Sequence, residues 1–375
     1  MMTNRERVLA IIDGKSPDQI PWIPRLELWW LANRNAGTLP EKYQDWRLRD
    51  IERDLGVGTP ARNGVIFRTK LKGVQKAVQL DGLDTITEYI TPIGTVSTVH
   101  RRTPELDKAG IYAMPYEEPI KRPEDYDVMT YIVENTKYIP CYEEYEDYER
   151  DIGEDGYPMV SVGDTPFHDF VKNYAGYGKG YLDLVDYTDK VERLMETMAQ
   201  KAREELWPVL AESPARLLLH GVHLSSQMTP PAMFKKYITP HTKEMSEFLH
   251  KHNKVLAQHA DNDTGRILGD LKEAGWDMQE CFATDPLVPT TLKEARDAWG
   301  TDMIIFGGIP SIIMEEEFFT DEEFEEYMID LFRTIAPGDA FILGVSDNVT
   351  APAKLERVSR VTEMIEQYGK YPVSV

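Results

Sequence analysis

The chain has 375 residues, of which 42% are hydrophobic and 28% charged, enough apolar side chain to build a large core rather than a disordered polymer. Its 42 Lys+Arg stand against 64 Asp+Glu, a formal charge of -22 that repels phosphate backbones and anionic lipid, so no nucleic acid and no membrane is expected as a partner. Two cysteines, Cys141 and Cys281, exclude a disulfide framework and an all-cysteine zinc site, and point to a reducing, cytoplasmic setting.

The first residues carry apolar side chains at helical spacing, with Thr3 or Asn4 as cap and Gly14 as stop, which predicts a folded helix rather than a secretory signal. Short apolar segments follow at 20–26, 157–163, 215–220, 254–261, 277–282, 303–308 and 340–345. Most lead into amphipathic stretches such as 230–250, 265–274, 291–299 and 321–335. That alternation predicts parallel strands with crossover helices. No GxGxxG or GxxxxGK[ST] turn follows any strand, so the expectation is an α/β fold, a closed (β/α)8 TIM barrel spanning 1–375 as one domain. Residues 71–114 change to strict alternation around Pro92-Ile93-Gly94 and predict an inserted β-hairpin. Residues 117–155 are acidic and Tyr-rich, as a solvated helix face would be.

In such a barrel the chemistry sits at the C-terminal ends of the strands. The segment 254–261 ends in His259 and Asp261, two residues apart and therefore on one face of a strand, while Asp263 or Thr264 suits the cap of the next helix. Asp164 and His168 follow an earlier strand, His220 and His223 the next, with Gln227 just beyond. Glu280 shares a face with Met278 and Phe282, so an inward Met278 predicts an inward Glu280 and an outward Cys281. Gly307-Gly308 is expected to let the backbone pass close to a ligand, and Ser346-Asp347-Asn348 closes the last strand. His223, His259 and Glu280, each from a different strand, form the expected zinc set, because an open catalytic zinc takes three such ligands. Asp164, His220, Asp261 and Asp347 are the expected acid–base groups, and Trp22, Arg25, His168, Gln227 and Asn348 the expected substrate contacts. His241, His250 and His252 read as packing or surface residues, and Trp22 with Trp29-Trp30 reads first as core.

Taken together, Arg5-Glu6-Arg7-Val8, Ile20-Pro21-Trp22, Thr91-Pro-Ile-Gly-Thr95, His259-Ala-Asp261 and Leu343-Gly-Val-Ser-Asp347-Asn with Pro352 resemble the uroporphyrinogen decarboxylase superfamily over essentially the whole chain. The resemblance implies a (β/α)8 barrel and offers two chemistries. Decarboxylases of the family carry an Arg-Gln-Ala-Gly-Arg-Tyr signature for a polyanionic tetrapyrrole. Here the region reads Trp22-Ile-Pro-Arg25-Leu-Glu-Leu-Trp-Trp30, with a single arginine. The other branch comprises methyltransferases serving corrinoid proteins, with a His-x-Cys pair and a later Cys on zinc. His259 matches the histidine, whereas Asp261 and Val345 stand at the two cysteine positions, which implies harder ligands and resembles the O-demethylase members.

The resemblance therefore implies zinc-assisted transfer of a methyl group from a small methoxylated, aromatic substrate to the cobalt of a cobamide on a separate corrinoid protein, and leaves room for a homodimer. The chain itself carries no Asp-x-His-x-x-Gly corrinoid motif. Two rivals are a lyase acting on another carboxylated heterocycle, with Asp164, Asp347 or His259 as proton donor, and a binding protein without metal or turnover.

Overall fold

The computed structural model describes residues 1–375, with Val222 described in its backbone alone. Helix α1 (Asn4–Ile12) opens the chain, started by a capping box in which Thr3 and Glu6 satisfy each other's backbone N–H groups. An antiparallel pair, β1 (Phe67–Leu71) and β6 (Thr136–Pro140), brackets a four-stranded antiparallel sheet. That sheet runs β2 (Gln75–Asp81), β3 (Asp84–Thr91), β4 (Gly94–Arg101) and β5 (Met114–Glu117), with Thr91 facing Gly94 across the tight turn. The acidic helix Tyr142–Ile152 turns only Tyr145 and Ile152 fully inward and leaves its carboxylates in water.

Six parallel strands then follow in sequence order: β7 (Met159–Ser161), β8 (Leu217–Val222), β9 (Val255–His259), β10 (Met278–Phe282), β11 (Ile304–Pro310) and β12 (Phe341–Ser346). Beyond the edges of this sheet, backbone bonds continue. Leu343 N–H donates to Pro21 and Ile23 N–H to Leu343, both at 2.9 Å. Gly58 N–H donates to Trp22 at 2.9 Å, and Met159 N–H to Ala61 at 3.0 Å. The segments 20–23 and 57–61 thus lie between β12 and β7, giving an α/β fold of the TIM-barrel type. Segment 57–61, rich in Gly, Thr and Pro, carries no apolar alternation and was invisible to the periodicity that located the others.

Alternation along the strands divides the core in two. Ile23, Met159, Leu219, Ala257, Met278 and Ile342 form an inner cluster, plugged at one end by Val8 and Ile11 of α1. Their neighbours Leu218, Leu256, Ile305 and Leu343 face the surrounding helices in the larger outer core. Trp22 belongs to that outer core at 3% exposure. The expectation that it contacts substrate is thereby corrected, because its ring packs on the helix side of the strand.

Candidate metal centre and active site

The inner alternation fixes what stands above the apolar layer. In β9 Ala257 faces inward, so His259 does too, and in β10 the inward Met278 is followed by Glu280. The register pairs Met278 with Ala257 and Glu280 with His259. This places Glu280 Oε2 2.5 Å from His259 Nδ1, both groups being buried. Glu280 also accepts from Arg62 Nη1 at 3.0 Å. Expected as a metal ligand, it stands outside both groups of residues that could hold a metal and instead occupies the far nitrogen of the imidazole, fixing the ring.

With Nδ1 engaged, His259 Nε2 faces the open end of the barrel, 3.7 Å from Asp261 Oδ2 and 3.7 Å from Asp347 Oδ1. Around this nitrogen two triads have ligand atoms within 4.8 Å of one another: His223, His259 and Asp261, and His259, Cys281 and Asp347. Separations of 3.7 Å are near the edge length of a tetrahedron built on zinc bonds of about 2.0–2.3 Å, and imidazole, carboxylate and thiol are zinc donors. The residues thus fit a zinc ion by chemistry and spacing, with His259 in both triads.

Cys281 reverses an expectation. Simple alternation would send it outward, yet its backbone lies in the left-handed region at φ 65° and the β10–β11 register slips between Glu280 and Phe282. The bulge turns the thiol inward, where Sγ donates to Asp347 Oδ1 at 3.1 Å, and sends Phe282 into the outer core against Trp299. Gly307 makes room for the bulge, since a Cβ there would meet Phe282 N at 2.6 Å. The close approach expected at Gly307 is therefore to the neighbouring strand rather than to a ligand. A thiol thus reaches the centre from β10, while Val345, at the family's cysteine position, is packed in the outer core.

Asp347 is held by the Arg25 guanidinium and by Asn348 Nδ2 at 2.7 Å. Both expected substrate residues thus act first on this carboxylate. His223 Nδ1 lies 2.9 Å from Asp261 Oδ2, and its side chain is about half exposed at the mouth. Gln227 lies exposed on the following loop, engaged through its backbone N–H with Ser225 Oγ.

Charge in this cluster is tightly compensated. Burial would discharge His259, but Glu280, with Asp261 and Asp347, raises its pKa to about 9. Burial works against the carboxylates as well, yet His223 and His259 hold Asp261 far below the ordinary range, and His259 and Arg62 do the same for Glu280. Burial, then Asp347 and Glu280, keeps the Cys281 thiol protonated well above its usual value. A metal ion held by this group would therefore have to displace protons from His259 and Cys281.

Asp164, His168 and His220, expected at the same rim, form their own network. His168 Nδ1 sits 2.8 Å from Asp164 Oδ2 and its Nε2 2.9 Å from Tyr177 Oη, while Lys172 Nζ approaches the same carboxylate at 3.1 Å. His168 and His220 are buried in the barrel wall, apart from the cluster around His259. His168 spends both ring nitrogens, on Asp164 and on Tyr177, whereas His220 leaves Nδ1 without a partner. Arg62, directly after the pattern-free segment 57–61, is the site residue that sequence reasoning missed.

Residues 165–368, more than half the chain, match the family model described as uroporphyrinogen decarboxylase (URO-D). The chain belongs to this family. A comparison with curated proteins found no match. Among solved structures, a methyltransferase from Methanosarcina mazei superposes with a TM-score of 0.55 at 13% identity, over 98% of this chain and 99% of that one, which supports the fold. An octameric ribulose-1,5-bisphosphate carboxylase/oxygenase from Pyrococcus horikoshii gives a TM-score of 0.27 at 8% identity, over 64% of this chain and 47% of that one. A GH5-4 endoglucanase from an uncultured bacterium gives 0.31 at 10%, over 67% and 86%. No helix among the described residues is long and apolar enough to cross a membrane.

Proposed function

We propose that this URO-D family protein is a methyltransferase that takes a methyl group from a methoxylated, aromatic substrate and passes it to a corrinoid carried by a separate protein. The proposal treats 1–375 as one closed barrel and places zinc on His259, Cys281 and Asp347, with Asp261 and His223 on the open side. The observation that carries it is the carboxylate–imidazole pair Glu280–His259, which leaves Nε2 facing carboxylates and a thiol at 3.7 Å and within 4.8 Å. The methyltransferase likeness of the M. mazei structure points the same way.

Zinc at this place would act as a Lewis acid toward the ether oxygen. The protein's own residues do the rest. Glu280 holds the His259 ring, and Arg25 and Asn348 hold Asp347 against rotation. His223, paired with Asp261 and half exposed, is placed to deliver a proton to the leaving phenolate oxygen, where negative charge develops. The cobamide belongs to the partner and enters by the same mouth.

The test is anaerobic incubation with a cobalt(I) corrinoid protein and methoxylated aromatics, following methylcobalamin absorbance, alongside zinc analysis. Stoichiometric zinc that His259→Ala abolishes, together with methylcobalamin formation, is expected. A metal-free native protein that releases carbon dioxide from a carboxylated heterocycle would replace the proposal with a lyase.

A further inference from the structure

A cavity of about 620 Å³ lies away from the barrel mouth. It lies between the inserted antiparallel sheet and the outside of the barrel, walled by Phe67 and Tyr89 on the sheet side and by Trp207 and Met245 on the helix side. Phe67 and Tyr138 meet edge to face at 5.4 Å, so the sheet presents a rigid aromatic wall. A cavity of this size and lining is the usual form of a small-molecule site.

Two imidazoles also line it. His220 and His241 are 2% and 7% exposed, their ring centres are 6.2 Å apart, and each leaves its Nδ1 without a hydrogen-bond partner. The nearby Asp164 backbone favours a proton on His220, and a ring protonated on its other nitrogen leaves Nδ1 as an acceptor. Burial keeps both rings neutral, His241 being pushed down to about 3. Buried ring nitrogens without partners are costly and uncommon, so two of them in one wall indicate a missing polar group. Asp164 and Asp169 stand in the same wall against a single cation, Lys76, so the lining offers an anion no net positive charge. A hydroxyl on an aromatic body fits: it donates to His220 Nδ1 and can accept from His241, while the rings of Phe67, Tyr138 and Trp207 enclose the rest.

We propose that this cavity is a second ligand site, separate from the metal centre, which takes a neutral hydroxylated aromatic molecule through His220 and His241. The inference does not depend on the methyltransferase reading. It assigns the inserted sheet a purpose, since Phe67, Tyr89 and Tyr138 come from the strands that no barrel requires.

The probe is 2-naphthol, followed by its own fluorescence, with 2-methoxynaphthalene lacking the donor and 2-naphthoate carrying a charge. One equivalent of 2-naphthol is expected to bind, the ether at least tenfold more weakly and the naphthoate without detectable binding. Ala202→Trp, which fills the cavity, and His241→Leu, which removes the polar contact, are expected to abolish binding, whereas His259→Ala leaves it intact. Far-UV circular dichroism and melting of each variant show that it is folded, and His241→Leu decides the case if Ala202→Trp is not. Equal binding of alcohol and ether, binding that persists in folded His241→Leu, binding lost with His259→Ala, or no binding of 2-naphthol would each overturn the proposal.

Discussion

His259 owes its position to a neighbour that does not touch the open site. The register of two strands delivers Glu280 to Nδ1, and the direction of Nε2 follows. Outer partners of this kind commonly carry 10- to 100-fold of metal affinity, so Glu280→Gln is expected to weaken zinc by about that factor in a chelator competition. An unchanged affinity would show that the ring is oriented by something else. Proton linkage gives a second readout. The metal needs a neutral imidazole and a thiolate, and His259 holds its proton up to about pH 9, so zinc affinity is expected to rise by more than about tenfold per pH unit from neutrality to that value and by about tenfold beyond it, where Cys281 alone still gives up a proton. A rise of no more than about tenfold per unit below pH 9 would remove His259 from the ligand set. The same residue shows where sequence reading works: that His259 and Asp261 share a face follows from two-residue periodicity. It fails one position beyond Glu280, because a bulge obeys no period and reverses both Cys281 and Phe282.

Among the elements, the helix Leu48–Asp54 carries an unusual burden. Glu52 is 2% exposed, and its carboxyl accepts from Thr59 Oγ1 at 2.6 Å. Burial, only partly offset by the Thr59 hydroxyl and Arg49, raises its pKa from 4.5 to about 7. The folded state thus binds this proton more tightly than the unfolded chain does. Its contribution is full below about pH 4.5 and is lost as pH rises toward 7, a swing on the order of 3 kcal/mol. Urea titrations at pH 5 and pH 8 are expected to show that loss in the native chain and a smaller one in Glu52→Gln, and identical differences would refute the assignment. Helix α1 is the other element with a measurable role. Ile11, 3% exposed, plugs the inner cluster, and Ile11→Ala is expected to cost about 2–5 kcal/mol in the same titration. A cost below 1 kcal/mol would mean that the plug closes over a loose core. The strands and helices of the barrel were legible because burial on both faces, or on one stripe, writes itself into the residue order. Segment 57–61 was not, since its links to Trp22 on one side and Met159 on the other are backbone hydrogen bonds, which leave no pattern in the residue order.

For the molecule as a whole, a zinc ion at the proposed centre would couple metal and fold. A ligand that binds only the native chain stabilises it by about 2.7 kcal/mol when present at a hundred times its Kd. Zinc is therefore expected to raise the melting temperature of the native protein and to leave that of His259→Ala unmoved, and a rise in both would place the ion elsewhere. The architecture was readable from the alternation of short and long apolar patterns. The four-stranded insertion was readable only as one hairpin, since the exposed β2 and β5 lack an inward apolar row.

The stopper formed by Val8 and Ile11 carries a kinetic implication. With the lower opening filled, the proposed donor and acceptor would share a single doorway to His259. A bulky carrier resting on that doorway would trap whatever small compound had arrived before it. The order of arrival would then be compulsory, small compound first and carrier second, and excess carrier would slow turnover by blocking entry.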